Sequence, residues 1–242
     1  ELFGDTGMDR FPLLVKIIDA KDDLSIQVHP DDAYAKVHEN GSLGKTECWF
    51  ILDCKENATL VVGHNAKTKE ELEQMIHEGR WKEFIREIPI KPGDFIQIDP
   101  GTVHAIKGGT LLLETQQSSD ITYRVYDYDR LSNGKPRQLH IVQSIDVITV
   151  PAKSADNSVV HTEKKDDAIQ QLIQCPYYTV YRIDVEHRVE TWQDKPFVLM
   201  SVVEGEGTLN GTPLKKGDHL ILPDGYGKVE LQGRMQIIAS TI

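Results

Sequence analysis

The stretch Ile90-Lys91-Pro92-Gly93-Asp94-Phe95-Ile96-Gln97-Ile98-Asp99-Pro100-Gly101-Thr102-Val103-His104 reads as a Gly-Asp turn, a strand, a Pro-Gly turn and a histidine leading into a new strand. Its first part returns near the far end of the chain, as Leu214-Lys215-Lys216-Gly217-Asp218-His219-Leu220-Ile221-Leu222-Pro223. Both passages run turn, Gly-Asp, strand, proline, and self-similarity of this kind marks a repeated β unit. Outward from them, short alternating runs continue, among them residues 12–18, 24–29 and 47–52, divided by Pro, Gly, Asn and Asp. That is the pattern of an antiparallel sandwich or barrel.

Helices are few. Thr68 can cap one while Glu71, three residues on, reaches back to complete a capping box, with Leu72, Met75, Ile76 and Gly79 as its buried stripe. A proline start and early acidic residues suit a short helix over 30–37. Another is expected over 138–147, where Leu139, Val142 and Ile145 recur every third residue. The polar segment 151–167 then separates the first block from a further run of strands beginning near Tyr177. The organisation expected is a first domain over 1–150, a linker over 151–170 and a smaller domain over 171–242.

With 242 residues, 39% hydrophobic and 27% charged, the composition is that of a globular chain with a core, neither disordered nor membrane-like. Asp plus Glu outnumber Lys plus Arg by 38 to 27, and the net charge of −11 argues against nucleic acid as a partner. No apolar stretch approaches the length of a membrane span, and no basic segment followed by an apolar one opens the chain. Cys48, Cys54 and Cys175 are too few and too irregular for a disulfide scaffold, which points to a cytoplasmic location. The chain begins at Glu1, not Met, so it is expected to be a trimmed piece of something longer.

The chemistry-bearing residues sit on strands. In Leu24-Ser25-Ile26-Gln27-Val28-His29, side-chain alternation puts Leu24, Ile26 and Val28 on one face and Ser25, Gln27 and His29 on the other. Gln27 and His29 can therefore close on one metal ion, or form an exposed polar face. Glu47 shares a strand face with Trp49 and Ile51, so its carboxylate needs a counter-charge, either a metal or Lys45. The 92–104 stretch resembles the second motif of the cupin barrels, whose histidine is a metal ligand, and that position is His104. Gln27, His29, Glu47 and His104 then fit an N/O metal site with room for water or substrate. Near Leu111-Leu112-Leu113-Glu114, the strand 121–126 puts Thr122, Arg124 and Tyr126 on one face. Arg124 suits an anionic or enediolate-like substrate, and its alternative is a salt bridge to Asp127 or Asp129.

Taken together, Ser25-Ile26-Gln27-Val28-His29-Pro30, Gly44-Lys45-Thr46-Glu47, Pro100-Gly101-Thr102-Val103-His104-Ala105 and Ser119-Asp120-Ile121-Thr122-Tyr123-Arg124 resemble the type I mannose-6-phosphate isomerases in their short bacterial form. The resemblance runs from about Phe11 to the C-terminus. It implies a mainly β fold, with a cupin jelly-roll barrel as catalytic domain, a few helices and a smaller C-terminal cupin-like β domain without metal. It also implies an N-terminal segment ahead of this chain. It places one zinc ion per chain on Gln27, His29, Glu47 and His104, the catalytic arginine at Arg124, and Lys45, Glu114 and Ser25 around the cavity. Arg130 stands where some relatives have lysine, and with Lys45 and Ser25 it is a candidate for the substrate phosphate.

The implied reaction interconverts mannose 6-phosphate and fructose 6-phosphate through a cis-enediol, with a hydroxide on the metal, Glu114 or Lys45 as the possible base. Its partner is a small-molecule sugar phosphate, and the chain is a monomer or a homodimer. The alternatives are a cupin dioxygenase and a non-catalytic cupin that binds sugar phosphates. His38, His64, His77, His140, His161, His187 and His219 are expected to be ordinary residues; for His64 the alternative is that its Gly63-His64-Asn65 turn lies near the pocket.

Overall fold

A computed structural model describes residues 2–4, 6–7, 10–155 and 158–242. The chain divides into two compact units, Leu13–His161 and Glu1–Pro12 with Thr162–Ile242. The first unit carries strands β1 (Leu13–Ala20) and β2 (Ile26–Val28), helix α1 (Asp32–His38), β3 (Glu47–Cys54) and β4 (Thr59–His64). Helices α2 (Lys69–His77) and α3 (Trp81–Phe84) come next, then β5 (Ile85–Pro89), β6 (Asp94–Ile98), β7 (His104–Ala105), β8 (Thr110–Gln117) and β9 (Tyr123–Tyr126). A small hairpin, β10 (Leu131–Ser132) and β11 (Lys135–Pro136), leads to α4 (Ile141–Val147) and β12 (Val159–His161).

These strands form two antiparallel sheets, ordered β1-β8-β3-β6-β12 and β5-β4-β7-β2-β9. Trp49, Ile51, Ile96, Ile98 and Leu112 of the first pack against Leu60, Val62 and Ile88 of the second in one fully buried cluster. The opposite face of the second sheet, with Ile26, Val28, Val61, Tyr123 and Val125, is covered by Leu72, Met75 and Ile76 of α2 and Ile145 of α4. The unit is thus sheet, sheet and helices in layers, held by apolar burial between them.

The expectation of a cupin jelly-roll barrel is corrected here. Each sheet is an open path with two free ends, β1 and β12 in one and β5 and β9 in the other, and among the described residues none closes on itself. Face-to-face side-chain burial joins the layers, where a barrel needs a hydrogen-bonded seam. The second unit is also open. Its strands β13 (Ala168–Gln174), β14 (Thr179–Val185), β15 (Arg188–Gln193), β16 (Phe197–Leu209), β17 (Thr212–Lys215), β18 (His219–Pro223) and β19 (Gly227–Thr241) form one seven-stranded sheet, ordered β13-β14-β19-β16-β17 with β15 on β19 and β18 on β16. Its core gathers Ile183, Val202, Leu209, Leu231 and Ile237.

The helices follow local chemistry with some changes. Thr68 caps α2 by accepting from the Glu71 N–H at 3.2 Å, but Glu71 reaches one residue further back than a capping box requires, accepting from the Lys67 N–H at 2.6 Å. Gly79 is not part of the buried stripe. At φ +65° it turns the chain out of the helix, with Arg80 N–H bonded to Met75 O and Gly79 N–H to Ile76 O. In α4 the buried face is Ser144 and Ile145, while Val142 is 72% exposed. The three-residue spacing of Leu139, Val142 and Ile145 drifts around a helix of 3.6 residues per turn, so only Ile145 reaches the core.

Candidate metal centre

His104 in β7, Gln27 in β2 and Arg124 in β9 are direct neighbours across three strands of the second sheet, so their side chains share its inner face. His29 lies two residues beyond Gln27 on the same side. Glu47 comes from the first sheet, at the start of β3. A β-bulge between Ile26 and Gln27 sets the register, pairing Ile26 with Tyr126 and Gln27 with Arg124. Tyr126 therefore leaves the face it would share with Arg124 by simple alternation and packs on the outer apolar cluster, stacked on Trp81 at 4.5 Å.

The potential ligand atoms of His29, Glu47 and His104 all lie within 4.8 Å of one another, and all three residues are buried. His29 Nε2 is 3.3 Å from Glu47 Oε2, and His104 Nε2 is 3.3 Å from Glu47 Oε1. Gln27 Nε2 approaches His104 Nε2 at 3.2 Å, while Ser25 Oγ reaches Gln27 Oε1 at 3.5 Å. The Thr102 carbonyl can only accept, so His104 Nδ1 donates to it at 2.9 Å, and the Nε2 lone pair is left facing the cluster.

The electrostatics suit a cation. Burial lowers the His29 pKa to about 4 and lowers that of His104 as well, so both rings are neutral at pH 7, the state a metal requires. Burial acts to raise the Glu47 carboxyl, but Lys45, with Nζ 3.1 Å from Oε2, and the adjacent imidazoles hold it well below the usual range. Both ring nitrogens of His29 and both carboxylate oxygens of Glu47 are buried without a hydrogen-bond partner. Orphaned polar atoms are costly in a core, and a divalent ion would engage the Glu47 carboxylate and one ring nitrogen of His29. Two imidazoles, a carboxylate and a nearby amide form a donor set that fits such an ion.

The loop that delivers Lys45 and Glu47 depends on Gly44. A Cβ there would stand 2.4 Å from Asp31 C and 2.5 Å from Asp32 N, both main-chain atoms. The close approach lets Gly44 N–H donate to Asp32 Oδ1 at 2.7 Å and Lys45 N–H to Pro30 O at 3.0 Å.

Glu114 is buried directly across from Trp49 and Lys16, on the same side of its sheet as Glu47. Trp49 Nε1 donates to its Oε2 at 3.2 Å and Lys16 Nζ to its Oε1 at 2.7 Å, while Lys16 also donates to Gln116 Oε1 at 2.5 Å. Burial, then the charge of Glu47, raises the Glu114 pKa. Sequence reasoning does not single out Lys16 or Gln116. The available signal is a lysine inside the apolar run Leu13-Leu14-Val15-Lys16-Ile17-Ile18.

Arg124 does not pair with Asp127 or Asp129. Its Nη1 donates to Gln138 O at 2.9 Å, and its Nε is buried without a partner. Arg130 Nη2 donates to Asp127 Oδ1 at 2.6 Å and Nη1 to Asp23 O at 2.5 Å, with its guanidinium over the Tyr128 ring at 5.2 Å. His64 stays outside the cluster, its Nε2 donating to Thr149 O at 3.0 Å and its ring stacked on Phe84.

Two family models match the chain, the type I phosphomannose isomerase catalytic domain over residues 1–52 and the mannose-6-phosphate isomerase cupin domain over residues 168–242. A mannose-6-phosphate isomerase of Bacillus subtilis is 52% identical, with 99% of this chain and 78% of that protein covered. One from Streptococcus mutans is 48% identical, covering 99% and 77%. The crystal structure of a Bacillus subtilis mannose 6-phosphate isomerase superposes with a TM-score of 0.90 at 47% identity, over 100% of this chain and 79% of that one. A variant of the Salmonella typhimurium phosphomannose isomerase shares the fold at a TM-score of 0.81 and 16% identity, over 99% and 82%. Through relatives about half identical to it along nearly its whole length, the chain belongs to the type I mannose-6-phosphate isomerases.

Proposed function

We propose that the chain interconverts mannose 6-phosphate and fructose 6-phosphate, an aldose–ketose isomerisation assisted by one zinc ion held by Gln27, His29, Glu47 and His104. The observation that carries this reading is the buried His29–Glu47–His104 cluster, whose His104 stands in one cross-strand row with Gln27 and Arg124. When bound, the ion polarises the substrate carbonyl as a Lewis acid.

The reaction moves one proton between C1 and C2 and a second between the two oxygens, through a cis-enediol, so a base and a compensating cation are both required. Arg124 supplies the cation, because a guanidinium stays charged and stabilises the enediolate as it forms. Glu114 holds the migrating proton. Its raised pKa makes it the better base, its two oxygens are oriented by Lys16 and Trp49, and Lys45 is occupied by its ion pair with Glu47. Of the three candidates for the phosphate, Arg130 as a cation and Ser25 as a neutral donor remain, because Lys45 is buried in its ion pair with Glu47. The partner is a small-molecule sugar phosphate, and the setting is cytoplasmic. No helix among the described residues is long and apolar enough to cross a membrane.

The test is a coupled assay for fructose 6-phosphate formed from mannose 6-phosphate, before and after chelation and with zinc returned. Turnover that disappears with the metal and returns with zinc is expected. Turnover that survives chelation would overturn the metal's role. Arg124→Ala should cut kcat with little change in KM, whereas a raised KM at full kcat would remove Arg124 from the transition state.

A further inference from the structure

Arg124 has an acidic residue three positions away and does not pair with it. Asp127 is 4% exposed, and its charge is near enough to bear on the guanidinium of Arg124. Its oxygens are already taken: Oδ1 accepts from Arg130 Nη2 and Arg137 Nη2, and Oδ2 accepts from Arg137 Nε at 2.7 Å. Three of the roughly four lone-pair sites of a carboxylate are thereby filled.

We propose that Arg137 is a positioning residue for the isomerase reaction: by occupying Asp127 it keeps Arg124 out of an ion pair and available to substrate. This rests on the reading of Arg124 as the cation that meets the enediolate. Arg137, not Arg130, is the blocking group. Arg130 is also anchored on two main-chain carbonyls, Asp23 O and Asp127 O, so its place does not depend on the carboxylate alone. Arg137 binds the carboxylate through two nitrogens, the fork geometry that competes best for it.

The residues after Arg137 complete the arrangement. Gln138 presents its carbonyl to Arg124 Nη1, His140 N–H donates to Arg124 O at 2.8 Å, and Arg124 N–H donates to His140 Nδ1 at 3.2 Å. The segment 137–140 therefore removes the anionic rival and supplies a neutral acceptor in its place. A guanidinium held by a carbonyl keeps its full charge for the reacting oxygens, whereas one paired to a carboxylate is neutralised before substrate arrives. The hairpin of β10 and β11 brings this about by returning the chain from Arg130 to Arg137 beside Asp127.

The experiment compares steady-state kinetics and zinc content of the metal-loaded full chain, Arg137→Ala, Arg137→Ala with Asp127→Asn, and Arg124→Ala. Arg137→Ala is expected to lose about tenfold in kcat with zinc content unchanged, because Asp127 then captures Arg124. Adding Asp127→Asn removes the captor and should return kcat to within about threefold of the parent. Rescue by a second substitution also separates positioning from a folding defect. Full kcat in Arg137→Ala, or a loss that Asp127→Asn does not reverse, would overturn the proposal. An absence of parental turnover, or turnover that Arg124→Ala leaves intact, would instead refute the reading beneath it and the positioning role with it.

Discussion

Glu47 has no exposed surface and Lys45 is 5% exposed, so removing one charge strands the other in the core. At 3.1 Å and an effective dielectric of about 20, the attraction between them is roughly 5 kcal/mol. Taking two ions out of water costs several kcal/mol each, so the intact pair contributes little net stability. Breaking it is different, because the surviving ammonium keeps its desolvation cost and loses its partner, at about 3–5 kcal/mol. Glu47→Gln is nearly isosteric, which leaves this electrostatic loss almost undiluted by a cavity. In chelator, urea unfolding of Glu47→Gln followed by tryptophan fluorescence should show a loss of that size. Trp49, whose ring meets that of His104 in a T-shaped contact with centroids 5.5 Å apart, reports on the centre directly. Lys45→Met added to Glu47→Gln should recover most of the loss. Zinc at a thousandfold excess over its Kd should stabilise the parent by about 4 kcal/mol and the Glu47→Gln chain by much less. Unfolding of Glu47→Gln at the parental midpoint, or failure of Lys45→Met to restore it, would refute the account of the pair.

Lys45 and Lys16 both lower the Glu114 pKa, and Lys16→Met takes away the one that also hydrogen-bonds to it, so that pKa rises further. A base must be deprotonated to act, and the acidic limb of the pH–kcat profile should therefore move to higher pH; an unmoved limb would exclude Glu114 as the base. Asp127 is held below its ordinary pKa by Arg137 and Arg130, so its contribution to stability is present above the unfolded pKa and lost as pH falls through the folded one. Asp127→Asn should accordingly be less stable than the parent at pH 7, with the gap closing below about pH 4 in urea titrations at several pH values. Gly44→Ala forces the main chain at Asp31 and Asp32 apart, and zinc affinity measured by competition with a chelator should fall by at least about tenfold.

Several features follow from the sequence because their causes are local. Strand side chains alternate whatever the strand pairs with, so residues 24–29 place Gln27 and His29 opposite Ile26 and Val28 before any fold is known. A threonine before a helical stripe caps it in any context, and α2 begins where Thr68 indicates. His104 is signalled by the turns around it.

The remainder depends on which strands meet. Alternation has the same period in a sandwich and a barrel, so the open sheets are a property of strand edges that no local pattern encodes. The same holds for the bulge that sends Tyr126 away from Arg124, since a bulge is a mismatch between two strands. Lys16 gains its meaning only when β1 is laid beside β8, where it lies opposite Glu114. Asp127 could have paired with Arg124, its near neighbour, but the returning hairpin brings Arg137 to it first. What the sequence determined by itself was which strand face each candidate donor takes, because strand periodicity acts residue by residue. What only the tertiary structure decided was which charges those donors meet, because Coulomb interactions in a buried site are set by distance in space and by desolvation.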